Sequence, residues 1–586
     1  MKITMIEPKA PGKHVFSAVK MPRLGLPLLG TLLKQAGHEV ELILGSRQDI
    51  RLSSIIDRDL VCISTTTSTV IEAYHLADFA RSQGIPVMMG GAHVSFMPDE
   101  ALQHCDYVSR GEADSTFMSL VGCIERDELP WQVPGVSFFD GKRVVHNPPP
   151  EWTDVNQSPI PDLSLFANLK MSTYPVMTSR GCPFDCTFCS VTSMFGRKHR
   201  CRSIELVLEE LEQYKGKQVF FIDDNFTANP RRSKELLNEM IRRDILPSWW
   251  CAQVRSDAAR DNELLTLMRK TNCGMVFVGM ESINPKTLES YNKKQDVDDI
   301  AWCIRNFHQH RIMVHGMFVF GADDDTVETI NDTVDFAIKH RIDSVQFLVL
   351  TPLPGTRTFD ELQESGRLLT RDWNFYDAHH VVFEPRLMSA SDLQKATLQG
   401  FKKFYSLRNI TGNLFFTGIR SAAFRALGYW VSRRWEKENR WYYFFLDSLT
   451  SPGQLTPERG SISKTIEACK THWFKYRTRE QLMEIKITRQ EGSFFVNLKG
   501  CVNGFSLQET LNTLSAQLPR FYQNITINIE QVTFTSERLV IDFIQGLNSL
   551  TDKARKVQLQ MPATNSYLLE VLKKYNLTIP AFSISG

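Results

Sequence analysis

The stretch Thr178–Ser193, TSRGCPFDCTFCSVTS, places Cys182, Cys186 and Cys189 in a C-x3-C-x2-C spacing. The other nine of the chain's twelve cysteines are scattered, mostly in apolar runs such as DLVCIS and WWCAQV. There a cysteine acts as a small buried hydrophobe. Three thiols clustered on a loop after a strand are a metal-binding pattern instead. Structural zinc would require a fourth protein ligand, and Cys201 stands twelve residues on from Cys189. An iron-sulfur cluster suits the spacing better, since soft thiolates select it and a cubane held by three cysteines leaves one iron open for chemistry.

Downstream of this loop, apolar runs at QVFFIDD, WWCAQVRSD, MVFVGMES, IMVHGMFVFG and SVQFLVLTPLPG alternate with amphipathic stretches such as SIELVLEELEQYKG. With PVMTSR before the loop they make six strands, short of the eight repeats of a closed barrel. A partial β/α barrel over residues 171–370 is the expectation. Upstream, residues 1–140 alternate β-rich runs (KITMIEP, VELIL, LVCIS, PVMMGG, YVSRG) with helical patterns, which argues for a doubly wound parallel sheet. Ligands on such sheets bind at the carboxyl ends of the strands. Those ends here carry Ser64, Thr65, Thr66, Gly90, Gly91 and His93. Residues 141–170 are proline-rich and read as a linker, with a small hairpin around FFDGKRVVHN. Residues 371–475 read as helical, and 480–586 return to mixed α and β.

A chain of 586 residues is too long for one core. Its formal charge of +2, from 68 basic and 66 acidic residues, gives no global attraction to nucleic acid, and no nucleic-acid partner is expected. No apolar run is long enough to span a bilayer, and the N-terminus lacks the apolar region of a signal peptide. A cytoplasmic protein with reduced thiols is expected.

The cysteine spacing, with Phe188 directly before the last cysteine, resembles the cluster loop of radical S-adenosylmethionine enzymes. In that family the methionine part of S-adenosylmethionine chelates the open iron of a [4Fe-4S] cluster, and reductive cleavage yields a 5'-deoxyadenosyl radical. FIDDNF, Phe221–Phe226, resembles the second-strand motif, which implies Asp223, Asp224 and Asn225 near the methionine amino group. Asp224 and Asn225 are equally open to a role in capping the helix that begins near Pro230. QVRSD offers Arg255 as a forked carboxylate partner, or as a structural ion pair with Asp257 or Glu281. FVGMES resembles the fourth-strand motif, with Gly279, Glu281 and Ser282 toward the ribose. HGMFVFGADDDT and LTPLPGT resemble the fifth- and sixth-strand motifs, implying Gly316, Gly321 and Pro354 beside the adenosyl group.

The resemblance extends upstream. PRLGLPLLGTLLKQAGHEVEL, VCISTTT, MMGGAHVSFMPDEAL and VSRGEADSTF are similar to the Rossmann-like cobalamin-binding domain of one subclass, which includes hopanoid methylases and the anaerobic magnesium-protoporphyrin ester cyclase. This implies Gly25, Ser64, Thr65, Thr66, Gly90, Gly91, His93 and Glu112 at a cobalamin site. The D-x-H-x-x-G signature that supplies histidine to cobalt in mutases is missing, because His14, His38 and His93 each lack the flanking aspartate and glycine. Cobalamin without a protein ligand is therefore implied, and a cobalamin-free enzyme is the alternative.

Cys469 and Cys501 stand alone in the last third, which disfavours a second cluster. Leu414–Leu446 interleaves aromatic residues with arginines and reads either as a helical lid on the barrel or as a peripheral membrane contact at the inner face. The last hundred residues resemble STAS domains in pattern, with Thr535 and Ser536 where a phosphorylated residue would stand; lacking its flanking aspartate and glycine, they are expected to cap a helix. That domain reads as a docking module for a protein partner. The implied activity is radical functionalisation, methylation foremost, of a hydrophobic, lipid, isoprenoid or tetrapyrrole-like substrate. An electron donor such as flavodoxin or ferredoxin is implied. Cobalamin-free cyclisation or coupling is the second reading, and a cobalamin or redox sensor the third.

Overall fold

The computed structural model describes residues 1–9, 21–45, 50, 53–166, 169–416, 419–450, 484–490, 493–502, 522–534, 543–544, 554–560 and 582–585. The chain divides into two compact units, Met1–Asn439 with Thr450–Pro452, and Arg440–Leu449 with Gly453–Gly586.

The first unit opens with strands β1 (Lys2–Pro8), β2 (Glu39–Gly45), β3 (Leu60–Ser64), β4 (Val87–Gly90), β5 (Tyr107–Ser109), β6 (Val136–Phe139) and β7 (Val144–His146). They form one sheet in the order β2-β1-β3-β4-β5-β6-β7, parallel through β5 and antiparallel beyond it. The central strand β1 is buried from Ile3 to Pro8, as a parallel strand covered on both faces must be. Ile3, Met5, Leu33, Leu60, Met88, Phe117 and Phe138 belong to its core. The expected hairpin around FFDGKRVVHN forms as β6 and β7, but it completes the edge of this sheet instead of lying in a linker. Asn147 fastens it by donating from Nδ2 to Pro130 O at 2.6 Å and Val133 O at 2.8 Å.

The second sheet is the partial barrel. Its strands are β8 (Thr173–Val176), then, after the ribbon strands β9 (Ser179–Arg180) and β10 (Arg200–Cys201), β11 (Gln218–Phe221), β12 (Trp249–Val254), β13 (Cys273–Glu281), β14 (Met313–Phe320) and β15 (Ser344–Val349). The order β15-β14-β13-β12-β11-β8 is parallel throughout, and the sheet stays open between β15 and β8. Helices between the strands start at side-chain caps: Ser203, Asn229, Asp261, Asp296 and Thr326 each accept from a backbone N–H of the first turn. The edge of β15 is closed by side chains. Tyr405 Oη accepts from Val345 N at 2.9 Å and donates to Val345 O at 2.8 Å, while buried Arg425 donates to Asp343 O and Ile342 O. Helices Ala390–Phe404 and Ile419–Thr450 supply these groups and so take the place of further barrel repeats.

The second unit contains β16 (Glu484–Gln490), β17 (Ser493–Val502), β18 (Tyr522–Phe534), β19 (Ala554–Gln560) and β20 (Phe582–Ser585) in sequential order. The first pair is antiparallel and the rest are parallel. Thr535 and Ser536 lie outside the described residues, as does His14. Among the described residues no helix is long and apolar enough to cross a membrane.

Candidate active site

The antiparallel ribbon β9–β10, pairing Arg180 with Arg200 and Ser179 with Cys201, ties off the loop that carries the three cysteines. Gly181 stands at its neck with φ +83°, where a Cβ would lie 2.5 Å from Lys198 O, so only glycine fits. Cys189 N donates to Cys186 O at 3.3 Å, and the short helix Ser190–Phe195 starts directly after Cys189. The loop is pinned from two sides. Asp185 O accepts from Asn292 Nδ2 and Arg357 Nη2, each at 2.9 Å, and the Phe188 ring meets Tyr291 edge-on at 4.9 Å.

All three thiols are free and partly buried. Burial pushes the Cys189 thiol up to about 12 and raises Cys182 as well, with the neighbouring cysteines and Asp224 adding to the rise. Such thiols need a cation beside them to ionise. Among the described residues no three His, Cys, Asp or Glu side chains converge on a single ion. Cys201 does not join the triplet, since its sulfur lies 3.6 Å from His199 Nδ1 and its charged neighbours are Arg232 and Asp223. A zinc knuckle therefore does not fit. A cubane held by three thiolates leaves one iron open and needs no fourth protein ligand, so Cys182, Cys186 and Cys189 suffice for it.

The carboxyl ends of the barrel strands surround this loop, and they sort the expected residues. Asp223 is fully buried and bonded: Thr178 N at 2.7 Å, Ser179 N at 3.0 Å and Thr178 Oγ1 all donate to it. It fastens β8 to the ribbon instead of facing a ligand. Asn225 Oδ1 likewise accepts from Thr227 N and Thr227 Oγ1. Asp224 differs, with one oxygen accepting from Gly181 N at 3.1 Å and the other making no hydrogen bond. Burial lifts its carboxyl to about 6, against the Gly181 hydrogen bond. Arg255 is buried, its guanidinium stacks 3.8 Å from the centre of the Phe184 ring in the cysteine loop, and its Nε has no partner. Asp257 reaches only 4.0 Å from it, so the structural ion pair is marginal. An orphaned guanidinium nitrogen and an open carboxylate oxygen flanking the cysteines suit an amino-acid ligand with opposite charges.

Glu281 has φ +61° at a bulge in β13 and pairs with Lys293 Nζ at 2.8 Å; its Oε1 is 2.6 Å from where a Gly279 Cβ would be. Ser282 Oγ accepts from Asn284 N. Gly316 corrects the expectation for the fifth strand. A Cβ there would meet Phe318 and Ile342, outside the lumen, because His315 and Met317 take the inward positions. Gly321 packs under Leu393 and Phe383 at φ +103°, which is a packing requirement. Pro354 lies in the loop after β15, where a Cβ on the next residue, Gly355, would come 2.4 Å from the Phe96 ring.

In the N-terminal sheet the strand order reverses between β1 and β3, the place where such sheets bind ligands. Arg23 spans it, donating to Glu7 and to Ser64 O. Thr65, Thr66 and Thr69 bond among themselves, and Gly91, at φ +103°, comes so close to Thr65 O that a Cβ would sit 2.2 Å away. Gly90 O accepts from Thr65 N, and Gly25 opens its helix with free space around it. Two expected residues are corrected here. His93 is buried with Nδ1 on Thr67 Oγ1 at 3.3 Å and Nε2 on Glu100 at 3.4 Å, so neither nitrogen is free for cobalt. Glu112 is buried under Arg200 and Arg180, with Thr153 N donating at 3.0 Å, and Asp114 binds Arg180 through both oxygens. Glu112 therefore locks this domain to the cysteine ribbon. The hydroxyls and glycines that remain fit cobalamin held without a histidine from this set.

Inside the barrel is a cavity of about 820 Å³. Its wall includes the opening residues of five strands, Thr173, Gln218, Trp249, Met313 and Ser344, and rises to Gln253 and Met317. Helices Ala390–Phe404 and Ile419–Thr450 close its side through Phe401, Phe424 and Val431. His315 lines it, a residue the motif comparison passed over although the alternation Met313, His315, Met317 marks all three as inward.

A family model described as the radical SAM superfamily matches residues 176–337, and one described as a B12 binding domain matches residues 17–121. An uncharacterized methyltransferase of Pyrococcus horikoshii is 32% identical over 432 residues, 69% of this chain and 92% of that one. Bacteriochlorophyllide d C-12(1)-methyltransferase of Chlorobaculum tepidum is 30% identical over 401 residues, 67% of this chain and 84% of that one. The cobalamin-dependent S-adenosylmethionine radical enzyme OxsB, solved with aqua-cobalamin bound, shares the fold at a TM-score of 0.58, covering 98% of this chain and 84% of that one at 15% identity. The chain belongs to the radical SAM superfamily and carries the B12-binding domain of its cobalamin-dependent methylases.

Proposed function

We propose that this enzyme cleaves S-adenosylmethionine reductively and methylates an unactivated carbon of a hydrophobic substrate. The single observation that carries this reading is the meeting, at one barrel mouth, of the three cysteines with the open Asp224 oxygen and the orphaned Arg255 nitrogen. Cys182, Cys186 and Cys189 would hold a [4Fe-4S] cluster, which with S-adenosylmethionine supplies radical chemistry while cobalamin supplies methyl transfer. The chain's own part is binding and orientation. Asp224 accepts from the ammonium of the methionine portion, and Arg255, its planar guanidinium oriented by the Phe184 ring, forks onto the carboxylate. Glu281, held by Lys293 at the β13 bulge, accepts from ribose hydroxyls, with Gly279 and Ser282 shaping that edge. Phe188 and the Pro354 loop border the same mouth. The Ser64–Thr66 and Gly90–Gly91 turns at the β1/β3 reversal would hold cobalamin, and His93, with both nitrogens bonded, would not ligate its cobalt.

A hydrophobic substrate is supported by the apolar lumen and by the printed substrate of the Chlorobaculum tepidum relative, a bacteriochlorophyllide. The last domain is proposed to be STAS-like, a docking module, on the strength of its mixed sheet with one antiparallel pair followed by parallel strands. Exposed Ile419, Leu427 and Trp430 beside Arg420 support a peripheral contact with an anionic lipid surface. A small electron-transfer protein, flavodoxin or ferredoxin in kind, would supply the reductant.

Anaerobic reconstitution with iron, sulfide and hydroxocobalamin, then metal analysis and a dithionite assay for 5'-deoxyadenosine, tests the reading. Iron, stoichiometric cobalt and deoxyadenosine that Cys186→Ala abolishes are expected. Deoxyadenosine without cobalt would move the reading to cobalamin-free cyclisation or coupling, and cofactor binding without cleavage would move it to a sensor.

A further inference from the structure

The lumen cavity is chemically one-sided. Among the described side chains that line it, only the exposed Arg420 at its rim carries a permanent charge, and none is an acid. Its other polar groups are amides, hydroxyls and imidazoles such as Gln253, Gln346, Thr397 and His315. Past Arg420 at the rim, a charged ligand group would meet only amides, hydroxyls and imidazoles among the described lining, and desolvation would repel it. The volume, about 820 Å³, stands near the upper end for small-molecule sites, enough for a lipid-sized body.

Among the described lining residues, His315 has a buried ring nitrogen without a hydrogen bond. It is only 6% exposed, faces the cavity from the middle of β14 and stands 4.6 Å from the Phe277 ring centre. Its Nδ1 is bonded to Ser344 Oγ at 2.7 Å, while Nε2 makes no hydrogen bond. Burial lowers its titration to about 4, with Gln346 opposing, so the ring is neutral at working pH. A buried imidazole nitrogen without a partner costs stability until something bonds it. Whichever tautomer Ser344 enforces, a hydroxyl serves as the partner, since it both donates and accepts. A carboxylate or phosphate would instead need a cation, and the one among the described lining residues, Arg420, stands at the exposed rim.

We infer that the lumen binds an uncharged, largely hydrocarbon ligand bearing a hydroxyl, and that this hydroxyl is anchored on His315 Nε2, making His315 a specificity-determining residue of the substrate site. This deepens the proposed function and rests on it for the identity of the ligand as substrate. The apolar body lies between the sheet interior and helices Ala390–Phe404 and Ile419–Thr450, at the amino ends of the strands. The portion beyond the hydroxyl extends toward the cysteine loop at their carboxyl ends.

The test is equilibrium dialysis of the full, cofactor-loaded chain with three radiolabelled C20 probes: geranylgeraniol, the parent hydrocarbon and geranylgeranoic acid. The alcohol is expected to bind about tenfold more tightly than either other probe. His315→Phe should reduce the alcohol to the affinity of the hydrocarbon, and His315→Gln, which keeps a neutral hydrogen-bonding group, should retain most of the preference. Val431→Trp, which fills the cavity, should weaken all three. Acid binding as tight as alcohol, alcohol affinity unmoved in His315→Phe, or probe binding unmoved in Val431→Trp would each overturn the inference. The readout does not pass through cleavage, so loss of 5'-deoxyadenosine with probe selectivity intact would instead fault the proposed function. Iron content and thermal midpoint identify a variant that has failed to fold.

Discussion

Asp223 and Asp224 are neighbours in the chain and divide two tasks. Asp223 gathers three donors from Thr178 and Ser179, so Asp223→Ala strands buried N–H groups under the cysteine loop. It should cost about 3 kcal/mol of stability, measured by denaturant unfolding, and lower iron retention with it. Asp224 keeps an oxygen open and its carboxyl is pushed up to about 6 by burial. Asp224→Asn should leave stability unchanged or raised while weakening S-adenosylmethionine binding roughly tenfold, read by isothermal titration of the cluster-loaded chain. His315 gives the pH dependence at this scale. Its folded value, about 4, lies below that of a free histidine, near 6.5, so the unfolded chain takes up the proton first. Its contribution is therefore full above about pH 6.5 and falls by about 1.4 kcal/mol per unit toward pH 4. The thermal midpoint of His315→Gln should be correspondingly less sensitive to acid over that window than that of the unmodified chain.

At the scale of elements, the ribbon β9–β10 joins two domains. Arg180 and Arg200 rise from paired positions on it into Glu112 and Asp114 of the N-terminal domain. The three groups Glu112, Arg180 and Arg200 are all largely buried, so removing one partner leaves buried charge uncompensated. Glu112→Ala should cost about 3–5 kcal/mol and expose the Asn147–Leu169 segment to limited proteolysis. This link was not legible in the sequence, because Glu112 and Arg200 are 88 positions apart and nothing local marks them as partners. The same holds for His93, whose partner Glu100 also receives Trp373 Nε1 from 273 positions away. What was legible was local: the cysteine spacing and the strand–helix alternation. Gly316 was misplaced although the strand alternation contained the answer, because motif likeness was followed where the period of two puts His315 inward.

At the scale of the whole molecule, the cysteine loop stands at the strands' carboxyl ends, and the apolar lumen runs from their amino ends up to Gln253 and Met317. The helix that walls the cavity also shows Ile419, Leu427 and Trp430 to the outside at 78%, 47% and 55% exposure. On the proposed peripheral contact, an apolar ligand would pass from a lipid surface into that wall. Ile419→Asp with Trp430→Asp, both outside the cavity wall, should therefore reduce co-sedimentation with anionic phospholipid vesicles several-fold while leaving iron content unchanged. Cosedimentation equal to that of the unmodified chain would exclude this face as the contact.

The most direct test of radical methylation uses the iron- and cobalt-loaded chain, S-adenosylmethionine with a deuterated methyl group, dithionite and a neutral lipid extract under strict anaerobiosis. The account expects a lipid product carrying the deuterated methyl, 5'-deoxyadenosine formed alongside it, and neither in Cys186→Ala. A methylated product without 5'-deoxyadenosine, or one that Cys186→Ala still makes, would contradict it.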